Sequence, residues 1–171
     1  MRTNWKHHLI LYLLIALAII AGLLFTHPAH PEEQGDKVAK VVWHVDFGDP
    51  QRFSAMLTSI FNMVTTYENE LMDYDVRIVL LSHGIRFATK DKLKGTPFEE
   101  DKALAERRNN LMTRLNSLRD VQGVKVYLCD ITRKAVGLDK EKIMPGIQLV
   151  PSGVVEIARL QSKGFAYLKA D

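Results

Sequence analysis

The sequence predicts an α/β sandwich built on a largely parallel sheet of five strands, preceded by one N-terminal transmembrane or signal helix. Three observations carry that prediction. Runs rich in Val, Ile, Leu and aromatics alternate with segments whose apolar residues recur every three or four positions. Strands separated by single helices imply a parallel sheet, because parallel neighbours need crossover connections. An uncharged apolar run is confined to the first 25 residues, and the remaining length suits one domain with its own core.

The apolar run is Leu9 to Phe25, seventeen positions without a charge or a polar face. At about 1.5 Å per residue such a helix spans roughly 26 Å, near the short limit for a bilayer's hydrocarbon core. Arg2 and Lys6 precede it, Trp5 stands near the interface, and no Lys or Arg follows until Lys37. That bias leaves residues 1–8 in the cytoplasm and sends the rest across. The run exceeds the usual signal-peptide core, and with Ala29 at position −1 the −3 residue would be His27, a poor cleavage site, which favours an uncleaved anchor over residues 9–25. The expected location is therefore a bacterial inner membrane, single-pass, with the C-terminal domain in the periplasm, or release into the periplasm after cleavage. Residues 26–37, with two Pro and no apolar periodicity, read as a linker. His27 and His30 in such a tether do not suggest a metal site.

The domain, residues 38–171, follows. Val38–Phe47 reads as a buried strand, and Asp49-Pro50 as an N-cap with Pro in the first helical turn. Phe53, Met56, Leu57, Ile60, Phe61, Val64 and Tyr67 then form one core-facing stripe. Asp75–Leu81 is a second strand, ended by Ser82-His83-Gly84. After a polar loop around Gly95-Thr96-Pro97, a helix spans Glu99–Arg119, with Leu104, Arg108, Leu111, Leu115 and Leu118 on one face. Val124–Cys129 is a third strand and Asp130–Gly137 a short helix closed by glycine. Ile147–Val150 is a fourth strand, Ser152 caps a helix that Gly164 ends, and Phe165–Leu168 is the last strand.

Composition narrows the function classes. A single cysteine among 171 residues excludes a disulfide scaffold, a zinc ribbon, a CxxC redox pair and a cysteine-ligated iron–sulfur cluster within one chain. Ten Gly and six Pro exclude collagen-like and low-complexity chains. Of 23 basic residues only Arg2 and Lys6 precede the linker, and all 20 acids follow residue 31, so the exported part carries a net +1. That balance gives no support for nucleic-acid binding, which needs a clustered basic face. No cofactor motif stands out, and no metal-ligand spacing.

Ligand crevices of open α/β sheets lie beyond the carboxyl ends of the strands. His44 and Asp46, His83, and Cys129 occupy such ends. Cys129 is the most informative, because a strand hands over to a helix there and the helix's first amides favour a thiolate. Arg133 and Lys134, four and five residues on, add cations. A lowered thiol pKa is what a sulfur nucleophile requires. The competing reading is a small buried hydrophobe. A C-x5-R anion cradle would need Arg where Ala135 stands, and no GxGxxG or Walker sequence follows any strand. A Cys/His hydrolase with His44 or His83 as base lacks an oxyanion device.

From Val41 to Lys169 the chain resembles the DsrE/DsrF-like proteins of bacterial sulfur metabolism, which include sulfur-relay subunits. The resemblance rests on Val41-Val42-Trp43-His44-Val45, Asn62 in the first helix, Ser82-His83-Gly84, and Gly123-Val124-x-Val-x-x-Cys129. It is strongest in Val150-Pro151-Ser152-Gly153-Val154 and Leu160-Gln161-x-x-Gly164-Phe165-Ala166-Tyr167, a tail like that of the exported, stand-alone branch. It implies a three-layer α/β/α fold, assembly into homo-trimers or hexamers, and Cys129 as the atom that carries a persulfide. Sulfur-donor and acceptor proteins, or small sulfur species, are the implied partners. His83 and His44 are then catalytic neighbours, or else groups that satisfy strand-end hydrogen bonds. Arg133, Lys134, Asn62, Ser152 and Gly153 are candidates for tuning the cysteine or holding substrate, with Asn62 the most structural of them. The alternatives are a non-catalytic oligomeric binding module of the same fold, or a thiol redox sensor or metal-handling protein using Cys129 with the histidines.

Overall fold

Residues 38–170 are described by the structure, a computed structural model. The segment read as cytoplasmic N-terminus, anchor and linker, residues 1–37, lies outside them. Five strands form one sheet: β1 (Ala39–Val45), β2 (Tyr74–Leu80), β3 (Lys125–Cys129), β4 (Ile147–Val150) and β5 (Ala166–Lys169). Their order is β4-β3-β2-β1-β5, and every neighbouring pair is parallel. The chain therefore steps outward from β1 to β4, then crosses back to place β5 against the free edge of β1.

The sheet has helices on both faces. On one side lie α1 (Pro50–Asn69) and α2 (Lys102–Asp120), packed over Val41, Trp43, Val45, Val76, Ile78, Leu80, Val126 and Leu128. Alternate strand residues point the other way, and there Val42, Val79, Tyr127 and Val150 meet Ile157, Leu160 and Phe165. That smaller cluster lies under α4 (Gly153–Ser162). A six-residue helix, α3 (Asp130–Ala135), follows β3 directly.

Local chemistry explains the boundaries. Asp49 caps α1, its carboxylate accepting from the Arg52 N–H at 2.6 Å, and Pro50 occupies the first turn. Asp101 caps α2, accepting from the Leu104 N–H at 2.8 Å, so that helix starts at Lys102 and not at Glu99. Periodicity alone does not distinguish the cap from the first turn. Phe53 of α1 stacks on Phe87 with centroids 3.9 Å apart, and both are fully buried. Such an aromatic anchor contributes several kcal/mol, about 3–5 when truncated to Ala.

The segment after β2 is more ordered than a polar loop. Ser82–Phe87 forms a 3-10 turn, and residues Gly84–Thr89 are all buried. Two guanidinium groups hold it. Arg86 donates to the Gly48 carbonyl at 2.9 Å and to the Asp101 carboxylate at 2.6 Å. Arg108 of α2 donates to the carbonyls of Arg86 and Thr89 and to Glu100. Gly84 is required by packing, since a Cβ there would lie 2.3 Å from the Val45 carbonyl oxygen.

Candidate functional site

The carboxyl ends of β2 and β3 meet the start of α4, and Cys129 lies at that meeting. It is the last residue of β3, pairs with Val150 of β4, and faces the α4 side of the sheet. Its N-cap position before α3 gives it φ −65° and ψ 117°, extended backbone that leads into the helix. The α4 helix begins with Ser152 as N-cap, its hydroxyl accepting from the Val155 N–H, and Gly153 as first residue. A Cβ on Gly153 would stand 3.1 Å from the Cys129 Cβ and 3.3 Å from that of Leu81. Glycine lets the first turn of α4 settle between β2 and β3, directly on the cysteine.

That approach sets the electrostatics. Cys129 is only 5% exposed, and burial by itself pushes a thiol up. Against it act the Gly153 N–H, the Thr132 N–H and hydroxyl, and the Ile131 N–H, which together hold the pKa below the ordinary cysteine value. None of the α3 amides closes a regular side-chain cap bond to the thiol. Their effect is on the ionised form, where several partial charges converge on one anion. Thr132 is the connecting element. Its Oγ1 accepts the Ser82 N–H at 3.0 Å, and the same hydroxyl is among the groups that lower the thiol's pKa. Ser82 adopts φ 50°, a left-handed conformation uncommon outside glycine, so the turn after β2 is strained where it meets the thiol's partner.

The other residues singled out in the sequence fall in different places. Arg133 and Lys134 stand near Cys129 in sequence but give their charge to Asp130, Arg133 Nε at 2.5 Å and Lys134 Nζ at 2.9 Å. Arg133 also donates to the Leu138 carbonyl, which closes the short helix. The cations expected to stabilise the thiolate thus serve α3, and amides with one hydroxyl take that role. His44 shares the sheet face of Cys129 but sits on β1, opposite Val79. Two strand spacings separate them, about 10 Å, with a further ~7 Å along the strand and Leu81 between. Its Nδ1 lies 2.7 Å from the Tyr167 hydroxyl and its Nε2 3.8 Å from Asp46 Oδ2, which in turn binds Lys169 at 2.8 Å. Burial lowers the His44 pKa, the Asp46 carboxylate opposing it.

His83 also turns from the sulfur. Its ring packs edge-on against Phe98 at 4.8 Å, its Cβ lies beside Gly48, and Nδ1 is 3.3 Å from the Ser82 hydroxyl. Its link to the thiol runs through Ser82 and Thr132. Asn62 is exposed in the middle of α1, twelve residues and so about 18 Å from the end of that helix nearest the strand termini. It is not brought to this site. Ser152 and Gly153 are. Thr132 is the residue that sequence reasoning passed over. The signal was a hydroxyl three positions after a cysteine at a strand-to-helix joint, the spacing at which a side chain reaches back to an N-cap.

Ile131, Val154 and Val155 surround this end with side chains 61%, 63% and 55% exposed. Next to them a shallow hollow of about 300 Å³ is lined by Asp130, Lys134, Lys140, Leu149, Val150 and Pro151. Among the described residues no group of three or more His, Cys, Asp or Glu gathers as a metal site would require. His27 and His30 lie outside those residues. Within residues 38–170 the site therefore offers one ionisable sulfur, its amide and hydroxyl donors, and an apolar rim.

A parallel five-stranded sheet with helices on both faces and one buried cysteine at its carboxyl edge defines the class, a single-thiol α/β domain. The DsrE/DsrF-like family profile matches residues 36–170, and the chain belongs to that family. It is 26% identical over 129 residues to an uncharacterized protein of Aquifex aeolicus (strain VF5), covering 75% of this chain and 55% of that relative. The chain thus spans about half the length of that relative. The fold is similar to that of MTH1491 from Methanobacterium thermoautotrophicum, a protein of unknown function, with TM-score 0.58 and 24% identity over 77% of this chain and 98% of that one. The ychN protein from E. coli gives TM-score 0.49 and 21% identity over 77% of this chain and 99% of its own.

Proposed function

We propose that this protein is a persulfide sulfur carrier or sulfurtransferase acting through Cys129, in line with the sulfur-relay association of its family. The observation that supports it most is the convergence of Gly153, Ile131 and Thr132 donors on a thiol whose pKa is lowered despite burial. The thiolate attacks the terminal sulfur of a donor persulfide, the donor's S–S bond breaks, and the donor leaves as a thiolate. A new S–S bond then joins Cys129 to the transferred sulfur, with no net oxidation. An acceptor nucleophile takes that terminal sulfur and returns Cys129 to the thiolate. The same donors that stabilise the resting thiolate stabilise it as the leaving group.

The apolar run Leu9–Phe25, with Arg2 and Lys6 before it, supports an exported domain tethered to the inner membrane and facing the periplasm. Incubating the protein with thiosulfate, polysulfide or a persulfidated donor should add the mass of one sulfur atom to the wild type and not to Cys129→Ser. Gain by both proteins, or by neither with any donor, ends the carrier reading. A second reading, a non-catalytic homo-oligomeric module (trimer or hexamer), is favoured by the 5% exposure of Cys129 and the exposed Ile131, Val154 and Val155. It requires that Cys129→Ala leave assembly and cellular function unchanged.

A further inference from the structure

The end of the domain opposite Cys129 carries apolar side chains that the fold does not use. Val38 precedes β1, Leu71 and Met72 lie between α1 and β2, and Val121 follows α2. Hydrogen bonds hold these segments side by side. The Ala39 N–H donates to the Asp73 carbonyl at 2.8 Å, and the Tyr74 hydroxyl donates to the Gln122 carbonyl at 3.0 Å. Leu71 is 94% exposed, Val121 79%, Val38 40% and Met72 37%. Leu71 is the most telling, because its φ of 54° favours Gly or Asn. Leucine serves neither the backbone nor the core at that position. Around these tips Glu68, Glu70, Asp73 and Asp120 are nearly balanced by Lys40, Arg119 and Lys125, so the surface has no strong charge to attract a charged partner.

The chain enters the domain at this same end. Only residues 26–37 separate Val38 from the apolar run Leu9–Phe25 in the sequence. We infer that Val38, Leu71, Met72 and Val121 rest in the interfacial layer of the bilayer, as a lipid-facing tip of the domain. This rests on Leu9–Phe25 being a membrane anchor and goes beyond it, since an anchor alone fixes no orientation of the domain that follows. The consequence concerns the thiol. β2 is seven residues long, so Cys129 at the opposite strand ends stands roughly 20 Å from the lipid. Its donor and acceptor then come from the aqueous side and not from within the membrane.

The test uses the full chain in phosphatidylcholine vesicles, with and without brominated acyl chains that quench tryptophan. Leu71→Trp and Val121→Trp lie on exposed positions, and Val154→Trp marks the thiol end. Each is compared with the parent, whose Trp5 and Trp43 set the background. The added emission of Leu71→Trp and Val121→Trp should be lost in brominated vesicles, at high salt as at low, while that of Val154→Trp persists. A membrane-bound chain whose tip tryptophans keep their emission overturns the orientation and leaves the anchor standing. Equal quenching at both ends overturns it too. A chain released from the vesicles by alkaline carbonate overturns the anchor and the inference together, while the sulfur-transfer assay on Cys129 is unaffected by any of these results.

Discussion

Replacing Thr132 by Val removes the one side-chain hydroxyl that favours the Cys129 thiolate and keeps the shape of the residue. The Oγ1 of Thr132 accepts the Ser82 N–H at 3.0 Å and the hydroxyl helps hold the thiol pKa down, so both effects are lost. A hydrogen bond to a charged acceptor contributes about 1.5–3 kcal/mol. Because the sulfur is also reached by three amides, the low end applies, about 1.5 kcal/mol, or roughly a tenfold smaller thiolate fraction below the titration midpoint. The assay is the rate of alkylation by iodoacetamide as a function of pH. The wild-type midpoint should lie below the ordinary value of about 8.5, Thr132→Val should move it up, and Thr132→Ser should restore it. Stability supplies a second readout. A thiol with a depressed native pKa stabilises the fold above its unfolded pKa, and that contribution is lost as pH falls through the native one. Wild-type stability should therefore rise with pH across that window, less so in Thr132→Val and not at all in Cys129→Ser. An unchanged alkylation midpoint in Thr132→Val refutes the assignment of Thr132, and a wild-type midpoint at or above the ordinary value refutes the activated thiol.

Three further outcomes follow from close packing and titration. Gly153→Ala places a methyl 3.1 Å from the Cys129 Cβ and lifts the α4 amide off the sulfur. It should cost about 1–2 kcal/mol in denaturant unfolding and slow alkylation. Gly84→Ala drives a Cβ to 2.3 Å from a backbone oxygen, so its cost should reach about 3 kcal/mol or more, seen as loss of soluble folded protein. His44 has its pKa lowered chiefly by burial, so the fold disfavours its proton. Stability from this group is present above about pH 6.5 and falls away as the pH drops towards the native pKa. Thermal unfolding of His44→Gln should show a shallower acid loss than wild type, while its persulfide loading stays unchanged. Loss of loading in His44→Gln would show that the histidine reaches the sulfur after all.

The architecture was legible because each strand and helix announces itself locally. Asp49-Pro50 marks α1, Gly123 the approach to β3, and Ser152 the start of α4, and all three act as their chemistry requires. The turn after β2 was not legible. Its order comes from Arg86 and Arg108, whose guanidinium groups satisfy carbonyls 38 and 22 residues away in sequence, and no local pattern encodes such partners. The site was half legible. Cys129 at a strand-to-helix joint and Gly153 at the start of the last helix are both visible in the chain. Proximity in sequence misled for Arg133 and Lys134, because both pair with the Asp130 carboxylate, which takes their charge. Strand order decides the rest. His44 looks like a partner of Cys129 until β2 is placed between them, and only the sheet's β4-β3-β2-β1-β5 order shows that Leu81 intervenes.

If the domain is exported as proposed, its thiolate has to remain reactive towards sulfur donors and resist oxidants, and the geometry of Cys129 bears on both. Reactivity needs an ionised sulfur, which the amides of Gly153, Ile131 and Thr132 and the Thr132 hydroxyl favour. Resistance needs limited access, and the sulfur's residue is 5% exposed beneath the first turns of α3 and α4. Cationic neighbours would have lowered the pKa too, but an exposed Arg or Lys field also gathers anionic oxidants and needs open solvent around it. Amides achieve the ionisation from within the fold, at fixed positions and with no added net charge. For the proposed sulfur carrier, the same burial would restrict the donor to a sulfur carried on a narrow group, either a small inorganic species or a cysteine persulfide on an extended segment. Ile131, Val154 and Val155 would meet the body of such a carrier as an apolar collar. Under the proposed function, a tuned thiol and a donor chosen by shape would therefore be two results of one feature, the seating of Gly153 against Cys129.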